Sequence, residues 1–514
     1  MIRRTFVLLA LLLFDTAAFA QVDTAWVRRY NGPGNQSDWA NALVVDDSGN
    51  VYVCGYSWGV GSSADYAVIK YHPNGDTAWV RRYNGPGYGW DEATALAVDA
   101  AGDVYVTGNS VQSSTYPYNQ DYATVKYSAD GEEVWIERYD GPGNSDDYAY
   151  SVALDSLGNV YVAGSANVGG TNLDYVTIKY LPGGDTAWVK QYNGTGNGHD
   201  YCYAVATDYL GNTFVTGASL SAGTSYDCVT IGYDSSGHQL WVRRYGGLGE
   251  DRARAIAVDN EGNVYITGYS AGSGTYSDCL TIRYRASGDT AWVRTHNGSA
   301  NDWDECTAIV VDGSDNVHVT GFSHGFGTYR DYVTIKYDST GEELWASYYN
   351  GPGNSTDEAS SVAVDDLDNV YVTGFSSDSV TYTDYATLKY SPSGTELWIR
   401  RFNGPGSGSD EASAVAVDDS HSVYVTGYSW GDGTAGDYAT IKYVQTHFLR
   451  GDANGDEVIN VADVVYLVNF LYRGGDPPHP IDAGDANCDG IVNVADVVYL
   501  VNYLYRGGDP PGCP

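Results

Sequence analysis

Two stretches near the C-terminus, GDANGDEVINVADVVYLVNFLYRGGDPP (451–478) and GDANCDGIVNVADVVYLVNYLYRGGDPP (484–511), are near-duplicates that place side-chain oxygens at fixed spacing. In the first copy Asp452, Asn454 and Asp456 stand at loop positions one, three and five, Val458 offers its carbonyl at seven, Asn460 stands at nine and Asp463 at twelve. The second copy repeats the set with Asp485, Asn487, Asp489, Ile491, Asn493 and Asp496. Hard cations need several oxygens converging from one turn, and this spacing supplies them. A chance Asn/Asp turn does not explain the duplication, so the pattern predicts two calcium sites, each opening an amphipathic helix. Arg450-Gly451-Asp452 also spells an integrin-type tripeptide. Its Asp is already the first calcium ligand, so the tripeptide reads as coincidence.

A loop followed by one helix, twice over, resembles the type I dockerin. The resemblance covers about 65 residues and both ligand sets, and implies calcium as cofactor and a cohesin-like module as partner. Two departures qualify it. Glu457 stands at loop position six where Gly is expected, whereas Gly490 keeps it; a non-Gly residue there costs roughly 1 kcal/mol, so the first site should be the weaker. The usual Ser-Thr recognition positions carry Val461-Ala462 and Val494-Ala495, which points away from an ordinary cellulosomal cohesin.

The rest of the chain is set by repetition. Trp26, Trp79, Trp135, Trp188, Trp241, Trp292, Trp345 and Trp398 recur at spacings of 53, 56, 53, 53, 51, 53 and 53 residues, each in a strand-like segment such as DTAWVRRY. Segments like ALAVD, NVYITG and DYATIKY also recur eight times, short, rich in Val, Ile, Tyr and Thr, and bounded by turn residues. Four strands per repeat with no helix is a propeller blade. The expected fold is therefore all-β, an eight-bladed β-propeller of four-stranded blades, followed by a small α-helical calcium module. The chain opens on a lone Trp strand (24–30) and its eighth unit ends without one, so the N-terminal strand should close the last blade against residues 437–443 and leave no open edge. These repeats resemble the bacterial SBBP-type β-propeller repeat, usually described as seven-bladed, through VD-x-x-GNVYVTG and DY-x-T-x-K-Y. That resemblance implies a fold and a secreted location, and no reaction.

Several acidic residues are structural on this reading. The Asp that opens each hairpin (Asp46, Asp99, Asp155, Asp208, Asp259, Asp312, Asp365, Asp418) recurs in every unit, as does Asp65 with its seven counterparts. A residue present in all eight blades serves the blade.

At the N-terminus, Arg3 and Arg4, an apolar run from Phe6 to Phe14 and Ala18-Phe19-Ala20 read as an export signal, residues 1–20. The expected division is then propeller 21–447 and dockerin-like module 448–514, secreted or cell-surface associated and not membrane-spanning. Processing takes the formal charge from −38 to −39, which disfavours nucleic acid, whose phosphates would repel the chain. Cys488 and Cys513 flank the last helix and are expected to form a disulfide. The five propeller cysteines pair less convincingly: a geometry joining Cys202 to Cys228 within a repeat would not join Cys279 to Cys306 across repeats. Most of them read as small buried hydrophobes.

Five tryptophans lie outside the blade pattern. Trp39, Trp58, Trp90 and Trp430 fall in blades eight, one and two, while Trp303 stands apart. Exposed aromatics beside Asn and Asp suit a sugar face or a protein hot spot, so these four are the candidate ligand-binding residues. Enzyme readings fare worse. The nine histidines are scattered without HExxH or a paired His-x-His arrangement, and no GxSxG elbow is read. The leading reading is a binding or scaffold protein that recognises an extracellular glycan or protein. The second is a polysaccharide-acting enzyme of hydrolase or lyase type, with no catalytic residue identified.

Overall fold

The computed structural model describes residues 19–113, 119–169, 172–223, 225–247, 249–272, 276–325, 327–378, 382–406, 408–448, 450–456, 458–478 and 481–511. The expected signal therefore lies almost wholly outside the described residues, as do Glu457 and Cys513.

Eight antiparallel four-stranded sheets follow one another. Blade one runs Trp39–Val45, Val51–Trp58, Ala64–Tyr71 and Thr77–Tyr83, in that spatial order. The first strand of each blade touches the first strands of both neighbouring blades all the way round. These strands are therefore innermost and the Trp strands outermost. The last sheet pairs Phe19–Tyr30 with Gly436–Phe448, so the N-terminal strand does close blade eight. Both partners are longer than the 24–30 and 437–443 expected from the repeat. Tyr438 of blade eight also donates to the Ala67 carbonyl of blade one at 3.3 Å, the same bond that Tyr66 makes to Ala123 at 3.0 Å one junction on.

That tyrosine bond explains the DY motif. The ring is fully buried between blades, where an unpaired hydroxyl would be costly, and a carbonyl of the next blade satisfies it. The preceding Asp65 is held by Arg82 at 2.7 Å, and Asp437 by Arg29 at 2.9 Å. The outer Trp packs against the next blade, with Trp26 donating to the Pro73 carbonyl at 3.1 Å. Its ring lies where a Cβ on Gly75 (φ +85°) would sit, so glycine serves both the turn and the approach. The hairpin aspartates are turn residues: Asp46 accepts from Ser48 and Asn50 amides at 2.9 Å and from the Tyr52 hydroxyl at 2.8 Å.

The cysteines correct one expectation. Cys279 and Cys306 form a disulfide with Cα atoms 5.1 Å apart, while Cys54, Cys202 and Cys228 are free and buried. Cys228 and Cys279 occupy the DY tyrosine position, which reaches the following blade; Cys202 and Cys306 occupy the innermost-strand position that this tyrosine meets. Only blades five and six carry both partners at one junction. Cys202 and Cys228 of blade four lie in different clusters, one against blade three and the other against blade five.

Thr24–Tyr443 forms one compact unit, and Val444–Pro514 falls in a second. There, helix α1 (Val461–Arg473) and helix α2 (Val494–Arg506) pack around Ala453, Leu467, Ala486 and Leu500. Among the described residues no helix is long and apolar enough to cross a membrane.

Candidate functional site

In the C-terminal module each loop curls its polar groups round one buried carboxylate. Asp463 is fully buried; its oxygens accept from the Asn454 amide at 3.2 Å and the Asn460 amide at 2.8 Å. Asp452 accepts from the Gly455 and Asp456 amides at 2.9 and 3.1 Å, and Asp456 from Val458 at 3.0 Å. The second loop matches, with Asp496 accepting from Asn487 at 3.1 Å and Asn493 at 2.8 Å, and Asp485 and Asp489 placed like their counterparts. Gly490 takes φ +82°, the left-handed turn expected at position six. Burial pushes the Asp463 and Asp496 carboxyls up, amide hydrogen bonds pull them down, and the neighbouring aspartates push further. An all-oxygen donor set with converging negative charge fits a hard divalent cation.

Asn460 and Asn493 do a different local job. Each is the N-cap of its helix, the side-chain oxygen accepting from the amide two residues on at 2.7 Å while the amide nitrogen donates to the Val458 or Ile491 carbonyl. Arg450 binds the Asp485 carboxylate at 3.0 Å and its carbonyl at 2.9 Å. The tripeptide at 450–452 is thus turned inward, with Asp452 only 4% exposed. Cys488 is disulfide-bonded.

On the propeller, the four candidate tryptophans form a row. Trp39 stacks on Tyr428 at 4.6 Å and donates to Ser413 at 3.3 Å; Tyr428 is two residues before Trp430 on one strand. Trp39 is also the cross-strand partner of Tyr56, which meets Trp90 at 4.8 Å, and Trp90 meets Trp58 edge-on at 5.8 Å. The order is Trp430, Tyr428, Trp39, Tyr56, Trp90, Trp58 over blades eight, one and two, the rings touching between Tyr428 and Trp39 and from Tyr56 to Trp58, with the other two links set by backbone position. Trp39, Trp58 and Trp90 are half-buried, and Trp430 is 41% exposed. The fifth, Trp303, sits apart beneath Arg330 and against Phe322.

Counting tryptophans missed the tyrosines. Tyr276 and Tyr329, in strand-connecting loops of blades five and six, and Tyr382, at the start of blade seven's third strand, are 66–75% exposed. On the innermost strands, where blade one has Trp39, blades three and four have Tyr148 and Tyr201, blade five has Arg252, and Glu92, Glu305, Glu358 and Glu411 fill the rest. Comparing each repeat position round the ring, instead of one residue type, would have found them. The sequence reading also overlooked G-x-S-x-G strings at 55–59, 268–272, 321–325 and 427–431. Each serine lies within a blade's second strand rather than a strand–turn–helix elbow, and Ser57 and Ser429 are fully buried. Ser57 accepts from Arg82 at 2.6 Å, a structural contact. A cavity of about 390 Å³ lies elsewhere, between the hairpin turns around Asp46 and Asp99.

A closed ring of antiparallel four-stranded blades with a two-loop helical tail defines a β-propeller carrying a duplicated loop–helix module. Residues 25–61, 134–170, 187–223, 240–274, 344–378 and 397–433 match the SBBP β-propeller repeat, and 450–505 match the dockerin type I domain. The chain is an SBBP-repeat propeller joined to a type I dockerin domain. Type I dockerin domains are generally calcium-binding. Among curated proteins, an uncharacterized WD repeat-containing protein of Acanthamoeba polyphaga mimivirus is 24% identical over 459 residues, 70% of this chain and 31% of that protein. Regulatory protein FlaEY of Caulobacter vibrioides is 26% identical over 199 residues, 36% of this chain and 20% of that protein. The chain thus spans less than a third of either relative. Among solved structures, Drosophila Plexin A in complex with Semaphorin 1b aligns with a TM-score of 0.40 at 10% identity, over 87% of this chain and 90% of that one.

Proposed function

We propose that the chain is a secreted scaffold protein whose dockerin domain docks in a calcium-dependent manner and whose propeller captures an extracellular glycan or protein on the tryptophan row. Asp452, Asn454, Asp456, the Val458 carbonyl and Asp463 would hold the first calcium, and Asp485, Asn487, Asp489, the Ile491 carbonyl and Asp496 the second. Because the Asn460 and Asn493 oxygens cap helices, position nine would act through a water, as is common in such loops. The observation that carries the propeller half is the gathering of Trp39, Trp58, Trp90 and Trp430 on three consecutive blades, with ring contacts between Trp39 and Tyr428 and from Tyr56 through Trp90 to Trp58. Blades four, five and seven build the same loops without tryptophan. Aromatic anchors concentrate binding energy, each costing about 2 kcal/mol or more when truncated. Replacing Trp58 and Trp430 with Ala should weaken ligand capture at least tenfold, read by glycan array and calorimetry, while the melting temperature barely moves. A large fall in stability with unchanged capture would return the row to loop packing.

One observation favours the polysaccharide-acting reading. Burial, and then the charge of Glu358 on the neighbouring innermost strand, pushes the Glu411 carboxyl up, as an acid–base pair requires. Reducing-sugar release abolished by Glu411→Gln would establish it.

A further inference from the structure

Blades four and five hold a second cluster at the ring's centre, away from the tryptophan row. Arg252 stands on the innermost strand of blade five, its guanidinium carbon 4.3 Å from the Tyr226 ring centre and 5.8 Å from that of Tyr201. Its Nη1 donates to the Tyr203 hydroxyl at 2.9 Å and its Nε to the Glu250 carboxylate, which also accepts from the Tyr269 hydroxyl at 3.1 Å. A guanidinium carries five N–H donors, and those two bonds use two of them. Beside it His199, Tyr201 and Tyr203 stand in a row, each 5.9 Å from the next with interplanar angles of 17° and 5°. The scaffold does not demand this arrangement: the equivalent junction of blades one and two is made by Asn41 donating to Glu92 at 3.1 Å, and that of eight and one by Trp39 and Ser413.

We propose that Tyr201, Tyr203, Tyr226, Arg252 and Glu250 form a binding site for a neutral sugar ring, distinct from the tryptophan row. Tyrosine faces suit the C–H face of a sugar, and a pinned guanidinium donates to a pair of neighbouring hydroxyls while Glu250, with 43% of its side chain exposed, accepts from one. The fork is held in place by its own protein contacts, so little freedom is lost on binding. Charge decides between neutral and acidic sugars. Arg252 is offset by Glu250 and Arg254 by Glu305 at 2.6 Å, and the chain as a whole carries −38. An anionic glycan meets no net attraction here and long-range repulsion on approach.

The test is calorimetric titration of the full chain, in calcium, with neutral cello-, xylo- and manno-oligosaccharides and with oligogalacturonides. At least one neutral series should bind. Arg252→Lys, which keeps the charge and loses the planar fork, should weaken it at least tenfold, and Tyr203→Phe, which removes one hydroxyl, several-fold. Should the lysine variant unfold, the phenylalanine variant decides. Binding of uronate chains alone, no glycan binding at all, or affinity unchanged in both variants overturns the proposal. Loss confined to the Trp58 and Trp430 variants overturns it while sparing the tryptophan row. Loss confined to the Arg252 and Tyr203 variants does the reverse.

Discussion

Cys279 of blade five is bonded to Cys306 of blade six, closing a 27-residue separation across a blade junction. The bridge stands where every other junction relies on noncovalent packing between the same two positions. Constraining a loop of that length in the unfolded chain is worth about 3.5 kcal/mol. Replacing both cysteines with Ser should lower the propeller's melting temperature by an amount that matching treatment of the wild type with reductant reproduces. Burial pushes the Cys54, Cys202 and Cys228 thiols up, so a thiol reagent should label none of them before unfolding. Labelling of the native protein would mean that these sites open.

Calcium should matter to one part of the molecule only. The C-terminal core rests on four buried side chains, too few to fold a module this small without the binding energy of its ions. Chelator should abolish one calorimetric transition, that of residues 450–514, and leave the propeller's in place. An equal shift of both would show that the units are thermodynamically coupled.

Ring closure gives a third expectation. The strand Phe19–Tyr30 covers the edge of Gly436–Phe448, so deleting residues 24–30 leaves that edge unpaired and ready to pair with another chain. The truncated protein should oligomerise, and its last blade should become protease-sensitive. A monomeric, protease-resistant truncation would mean that the N-terminal strand is dispensable.

The propeller was legible because its signal is repeated eight times: the Trp spacing, the turn aspartates and the missing final strand each carry it independently. The duplicated loop–helix module was legible because residue spacing along one turn is a local property. The tryptophan row was half legible, since ring order groups Trp39 with Trp430, but its tyrosine links Tyr56 and Tyr428 look like ordinary strand residues. The disulfide and the Arg252 cluster were not legible. Both depend on which innermost-strand position faces which neighbour, and a repeat aligned only with itself does not say whether a side chain looks back or forward. Once Tyr66 is seen to reach Ala123 of the next blade, the pairing of Cys279 with Cys306 follows from the sequence.

A last expectation comes from a site where the repeat is broken. Asp140 occupies a position held by Asn31, Asn84, Asn193, Asn297, Asn350 and Asn403 in other repeats. Its carboxylate lies within 4.8 Å of those of Asp121 and Asp147, both buried. Burial, and then Asp121 and Asp140, push the Asp147 carboxyl up to about 7 against amide hydrogen bonds from Gly141 and Asn167. Burial raises Asp121 to about 6 despite Arg138. A carboxyl whose folded value exceeds its unfolded one binds its proton more tightly when native. Its contribution is therefore fully favourable below about pH 4 and is lost as pH rises through 6 to 7. Asp140→Asn removes one like charge from a trio that is fully ionised only above that range. The variant should gain about 0.5 kcal/mol at pH 8, an exposed-charge magnitude, and almost nothing at pH 5, where Asp147 and Asp121 are already largely protonated. Melting curves of the propeller transition at the two pH values measure the difference. An equal gain at both would show that the substitution acts on the turn instead of the charge, and a loss at pH 8 would show that Asp140 holds a favourable contact there.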